Sequence, residues 1–181
     1  MKTINLIIKR LFDVMISLTL CVILFPLAIV IVMVIKLTMP GPIFFKQERV
    51  GKNQKKFIIL KFRTMKIDLE AQKNFDFSKD EERLTKFGKV LRRTKLDEVP
   101  QLLNVLNGSM SLVGPRPTVQ SVVDGFTERQ KMRFKMTPGM TGLAQVNGNT
   151  AISWDERIEY DLKYIDDFSV IKDIKILLKT V

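Results

Sequence analysis

Residues 14–35 read VMISLTLCVILFPLAIVIVMVI, 22 consecutive positions without a formal charge. As an ideal helix they extend about 33 Å at ~1.5 Å per residue, close to the roughly 30 Å of a bilayer's hydrocarbon core. A secretory signal peptide fits poorly, because the run is long and no small-x-small cleavage site follows it. Membrane attachment is the first expectation. Lys2, Lys9 and Arg10 precede the run, and Lys36, Lys46, Arg49, Lys52, Lys55 and Lys56 follow it. A spanning helix usually has cations enriched on one side only, and Pro26 removes a backbone hydrogen bond near the middle of this one. Two geometries meet these facts. One is a single-pass anchor kinked at the proline. The other is a re-entrant helix that enters one leaflet, breaks near Phe25-Pro26 and returns to the same face. Asp13 at the membrane edge is tolerable if it pairs with Lys9 one turn earlier.

Outward from this run, the 181 residues suffice for one ordinary domain. Thirty Lys and Arg against 19 Asp and Glu give a net charge of +11, which draws nucleic acid, anionic lipid or phosphorylated substrates. Histidine is absent, so acid-base or metal chemistry must rest on carboxylates, Lys, Arg or Tyr. The single cysteine, Cys21, excludes a disulfide framework and a thiolate metal site.

The pattern divides the chain into a membrane helix over 1–39 and an interfacial domain over 40–181, of α+β class and mostly helical. Met39-Pro40-Gly41-Pro42 stops the helix. Short strands are expected at Ile43 to Lys46 and Phe57 to Phe62, a hairpin around the turn at Gly51 to Gln54. Residues 66–83 read as a charged loop or frayed helix. Helices are expected at 84–93 and 98–106, the second stopped by Gly108. A rigid turn at Gly114 to Pro117 and a glycine-punctuated loop at 137–149 follow. Two amphipathic helices, 153–166 and 169–180, close the chain. In the last, apolar residues alternate with Lys172, Lys175 and Lys179, a pattern suited to packing on the domain or to lying on lipid.

Chemistry concentrates between Arg92 and Pro117. Asp97 and Glu98 near a helix start can act as simple caps that complement the dipole, with Pro100 in the first turn. The same backbone N–H groups would favour an ionised Asp97, ready to attack or to bind a cation. Arg92 and Arg93 end the preceding helix. Arg116 stands between Pro115 and Pro117. It is either an ordinary exposed arginine or a guanidinium with the fixed direction that bidentate phosphate recognition needs. Lys61 and Arg63 lie two apart, on one face if the strand continues, or on a solvated edge.

Four ordered motifs behind the apolar helix carry a resemblance over nearly the whole chain. Lys9-Arg10-Leu11-Phe12-Asp13 opens the helix, and Phe62-Arg63-Thr64-Met65 follows the second strand. Leu96-Asp97-Glu98-Val99-Pro100-Gln101-Leu102-Leu103-Asn104-Val105 leads to Ser111-Leu112-Val113-Gly114-Pro115-Arg116-Pro117, and Pro138 to Gly148 completes the set. The chain resembles the monotopic phosphoglycosyl transferases, bacterial sugar transferases of the polyprenyl-phosphate type.

The resemblance implies a re-entrant helix with both ends on the cytoplasmic face of the bacterial inner membrane. It also implies Mg2+, held by Asp97, and a covalent mechanism. Asp97 attacks the β-phosphate of a UDP-sugar, UMP leaves, and polyprenyl phosphate takes the phosphosugar, the first membrane step of a glycoconjugate. Glu98 would assist by accepting a proton or orienting the metal, while Arg92 and Arg116 hold phosphate oxygens. Lys61, Arg63, Pro115, Pro117 and Gln145 complete the expected substrate contacts, and Lys9, Arg10 and Pro26 the membrane anchoring. Asn147 to Trp154 lean the donor toward an N-acetylated amino sugar, and a homodimer is compatible with the resemblance. The chain departs from the family pattern at Phe25, Ser109 and Asn149. Two rivals stand beside this reading. One is a membrane-anchored basic module, although no nucleic-acid fold signature is present. The other is a glycosyl transferase that releases UDP.

Overall fold

The computed structural model describes residues 3–66 and 80–180, so most of the segment expected as a charged loop lies outside the described residues. Helix α1 (Thr3–Thr38) contains Pro26 and is long and apolar enough to cross a membrane. One stripe of it faces protein. Leu6, Ile16, Leu20 and Leu24 pack on the central core, and Ile31, Ile35 and Met39 enter a second cluster with Phe62 and Leu91. Intervals of three to four residues keep such positions on one side of a helix. The opposite side exposes Ile7, Leu11, Met15, Leu18, Val22 and Phe25, an apolar face suited to lipid. Both ends of α1 therefore rest on the same domain.

Polar contacts fasten the first end. Lys9, expected to pair with Asp13, instead places Nζ 2.6 Å from Asp173 Oδ2 and 2.8 Å from Val113 O. Asp13 Oδ1 accepts from the Leu112 N–H at 3.0 Å. Arg10 donates to Val105 O and Leu106 O at 2.5 and 2.7 Å, satisfying the last carbonyls of the helix Gln101–Leu106, where a cation also complements the dipole. Lys9 and Arg10, expected as membrane-edge cations, are thus spent on protein partners. Lys9 is buried, where an unpaired ammonium would be costly, and Arg10 is half-buried against the helix end whose carbonyls it satisfies.

The hairpin forms as the pattern predicts, with a longer first strand: β1 (Phe44–Val50) runs antiparallel to β2 (Lys56–Phe62), Phe44 opposite Phe62 and Val50 opposite Lys56. The free edge of β2 is closed by one side chain. Asn104 accepts from Leu60 N at 3.0 Å and donates to Ile58 O at 2.8 Å, imitating a neighbouring strand and satisfying an edge that would otherwise be bare.

Helices α2 (Lys86–Arg93) and α3 (Gln101–Leu106) lie where expected, α3 starting three residues later than the expected 98, and Thr85 caps α2 through Gly88 N. Gly108 leaves α3 at φ +87°. A parallel pair, β3 (Ser111–Val113) with β4 (Gly139–Thr141), was not anticipated. Its three-residue strands are too short for periodicity to register. The pair needs glycine for close approach: a Cβ on Gly139 would lie 2.1 Å from Gly114 N. Helix α4 (Trp154–Asp166) opens with a Ser153–Glu156 capping box. Helix α5 (Val170–Thr180) buries Asp173 and Ile176 while exposing Ile171, Ile174 and Leu178. One side of α5 packs on the domain and the other remains apolar and exposed.

Candidate active site

Lys95, at φ +57°, turns the chain out of α2 into a short 3-10 turn, Leu96–Glu98, that precedes α3. Asp97 and Glu98 thus stand before the helix, not in its first turn. They open onto a cleft of about 1490 Å³, larger than the ~300–1,000 Å³ of most small-molecule pockets. Leu20 and Leu24 of α1, with Leu102, Leu112, Met140 and Leu177, give it an apolar wall. Lys61, Arg49, Arg92 and Arg116 are among the cations that line it.

Glu98 is the hub. Its Oε1 lies 2.7 Å from Lys61 Nζ and 2.9 Å from Arg116 Nη2. Burial works to raise this carboxyl, and Arg116 and Lys61 together outweigh it, holding it below the usual range. A carboxylate so held is a weak proton acceptor and a strong tether for two cations. Asp97 is different. Its side chain is 11% exposed and Lys61 Nζ stands 3.9 Å from Oδ2. Burial raises its pKa, with Lys61 opposing, Glu98 reinforcing and Arg92 opposing, and the net shift is upward. The expectation of a carboxyl lowered by helix N–H groups is corrected accordingly: desolvation wins, and its own backbone N–H contributes least among the causes.

Of the other expected site residues, Arg92 lines the cleft and donates from Nε to Thr64 Oγ1 at 3.1 Å. Gln145 also lines it, and its two amide atoms are buried without partners. Arg63, expected as a substrate contact, also lines the cleft; it is largely buried and donates its guanidinium to Met39 O and Pro40 O at the exit from α1. Pro115 and Pro117 flank Arg116 in sequence and do not themselves line the cleft. Pro115 O accepts from Gly139 N at 3.0 Å, and Arg133 Nη2 donates to Arg116 O at 2.9 Å. Pro26 is exposed on α1. Among the described residues no group of three His, Cys, Asp or Glu side chains could form an all-protein metal site. One carboxylate plus substrate phosphates suffices for Mg2+, and Asp97, outside the direct grip of Arg116, fits that donor set.

An acid pair ringed by cations beside a long apolar helix is an arrangement that suits an enzyme acting on anionic substrates. The chain belongs to the bacterial sugar transferase family, whose model matches residues 4–181, and it is an enzyme of the sugar-phosphate transferase class. It is 44% identical to the uncharacterized sugar transferase EpsL of Bacillus subtilis (strain 168), over 97% of this chain and 86% of that protein. It is 40% identical to the exopolysaccharide production protein PSS of Rhizobium leguminosarum bv. phaseoli, over 98% and 94%. The UDP-glucose:undecaprenyl-phosphate glucose-1-phosphate transferase of Klebsiella pneumoniae is also 40% identical, over 98% of this chain, which spans 40% of that longer enzyme.

Proposed function

We propose that this chain moves a sugar-1-phosphate from a UDP-sugar to polyprenyl (undecaprenyl) phosphate through an aspartyl-phosphosugar intermediate, opening the synthesis of a bacterial glycoconjugate or polysaccharide. The observation that carries the proposal is a buried Asp97 that lines a cleft with a cationic rim and a wall drawn partly from the apolar helix. A water-soluble diphosphate and a lipid phosphate can both reach such a place.

In the first step an Asp97 carboxylate oxygen attacks the β-phosphorus of the donor. The bond from that phosphorus to the bridging oxygen breaks, and UMP departs with the electron pair. In the second step a phosphate oxygen of the acceptor attacks the same phosphorus, breaking the acyl phosphate and restoring Asp97. Covalent catalysis here lets two partners from different phases use the site in turn. Lys61 and Arg116, fixed by Glu98, offer cations preorganised for phosphate oxygens, so little reorganisation accompanies the reaction. Bound Mg2+, held by Asp97 and substrate phosphates, would neutralise diphosphate charge.

The proposal includes a re-entrant α1 on the cytoplasmic face of the inner membrane. It is supported by the packing of both helix ends on one domain, Lys9 to Asp13 at one and Ile31 to Met39 at the other. Incubation with undecaprenyl phosphate and a panel of UDP-glucose, UDP-galactose and UDP-N-acetylated amino sugars tests the reaction. UMP release with one donor, and an intact-mass adduct at Asp97 when acceptor is withheld, are expected. Release of UDP instead would overturn the reading.

A further inference from the structure

We propose that Arg49 is a phosphate-binding residue of the cleft, forming with Arg116 a paired-guanidinium site for the phosphate oxygens of one of the two substrates. The inference rests on the phosphosugar-transfer reading above and adds a contact outside the motifs that carry the family resemblance.

Strand geometry aims Arg49 inward. Residues two apart share a face, and directly opposed residues share it across a hairpin. Phe45, Gln47 and Arg49 of β1 therefore lie on the face of their partners Lys61, Ile59 and Phe57. Ile59 is in the central core and Lys61 reaches Glu98, so this face looks into the domain, and Arg49 lines the cleft. Glu48, the adjacent carboxylate, also borders the cleft, but it alternates to the opposite face of the strand and pairs with Lys56 at 2.9 Å.

Arg49 is left under-partnered. Its Nη2 donates to the neutral Gln47 Oε1 at 2.5 Å, its Nε is buried without a partner, and no carboxylate lies within ion-pair distance among the described residues. Burying a guanidinium without a counterion is costly, and its fork of five N–H groups has capacity to spare. Burial, and then the nearby Arg116 charge, lower the pKa of Arg49, so the two cations are kept together against mutual repulsion. Arg116 gains only a single Glu98 oxygen, which Lys61 shares. Lysines and arginines, Lys61, Arg49, Arg92 and Arg116 among them, outnumber the carboxylates Glu48, Asp97 and Glu98 along the cleft. A phosphate or diphosphate meets that excess and the planar forks together.

The test uses the full chain in detergent, comparing Arg49→Gln and Arg49→Lys with the unsubstituted protein. Each substrate is varied in turn, UDP-glucose and undecaprenyl phosphate, with UMP release as the signal. If UDP-glucose is not the donor, the active UDP-sugar of the panel replaces it. Arg49→Gln is expected to raise one KM about tenfold or more, as loss of a charge-assisted hydrogen bond does, and Arg49→Lys to restore part of it. A rise confined to the UDP-sugar identifies the diphosphate as ligand, and one confined to undecaprenyl phosphate identifies the phosphomonoester. Both KM values within about twofold of the unsubstituted enzyme, or a fall in kcat alone, would overturn the proposal. Thermal melting of both variants separates misfolding from lost contact, and Arg49→Lys keeps the charge if Arg49→Gln fails to fold. An unsubstituted protein that released no UMP from any donor would sink the parent reading instead. Calorimetric titration with inorganic pyrophosphate and inorganic phosphate would then still decide Arg49: weaker binding of either in Arg49→Gln upholds the site, and unchanged binding of both removes it.

Discussion

Replacing Lys61 with methionine should move the acid limb of the pH-rate profile upward, because Asp97 must be ionised to attack and Lys61 favours its ionised form. Lys61 Nζ lies 3.9 Å from Asp97 Oδ2. A unit charge at that distance contributes about 4 kcal/mol at an effective dielectric of ~20 and about 1 kcal/mol in water. At about 1.4 kcal/mol per pH unit, these limits correspond to shifts of ~3 and ~0.8 units. Lys61 is 23% exposed and sits closer to Glu98 than to Asp97, so solvent screening and the shared partner favour the lower part of the range. A rise of about one unit is expected. The sign follows from the direction at Asp97: burial already lifts its pKa, Lys61 is the largest opposing influence, and its removal leaves burial less opposed. The assay is kcat/KM for the donor half-reaction against pH, which reports ionisations of the free enzyme. Lys61→Arg should keep the limb near its original position. A limb that stayed in place or moved down in Lys61→Met would refute the assignment of Asp97 as the titrating nucleophile.

Asp97→Asn should abolish UMP release while the protein still sediments with membranes, since α1 is untouched; near-normal turnover would remove the covalent step. Lys9→Met leaves Asp173 buried without its cation and should destabilise the fold by about 3–5 kcal/mol, read by chemical denaturation in detergent. Gly139→Ala forces a methyl within 2.1 Å of Gly114 N and should cost about 1–3 kcal/mol as overpacking does. Donor KM should rise with it, because Gly139 N also holds Pro115 O beside Arg116; a thermal scan with donor kinetics checks both.

Much of this architecture is legible in the residues because local chemistry dictates it. The uncharged run forces α1, Gly108 stops α3, and the amphipathic spacing fixes α4 and α5. The Asp97-Glu98 pair and the Pro-Arg-Pro turn stood out as residue types with few reasons to co-occur. What escaped depends on contacts distant in sequence. Asp173 meets Lys9 across 164 positions, so neighbours suggested Asp13 instead. The carbonyl partners of Arg63, Met39 and Pro40, are set by the tertiary path alone, so no neighbour in sequence foretells them. The direction of the Asp97 shift was misjudged because sequence reveals a nearby helix but not how deeply a carboxylate is buried. Arg49 passed as one of several flanking cations, although its alternation with Glu48 along β1 was a usable signal.

The seating of α1 has a practical corollary. A truncation beginning at residue 40 would not yield a water-soluble enzyme, because the helix is part of the globule it appears to tether. Its loss would bare Phe62 and Leu91, leave Asp173 without its ammonium partner, and remove Leu20 and Leu24 from the reaction chamber. Exchanging α1 for a generic tether would do the same damage, so biochemical preparations should retain the native N-terminus and shield its outer face with surfactant or nanodisc.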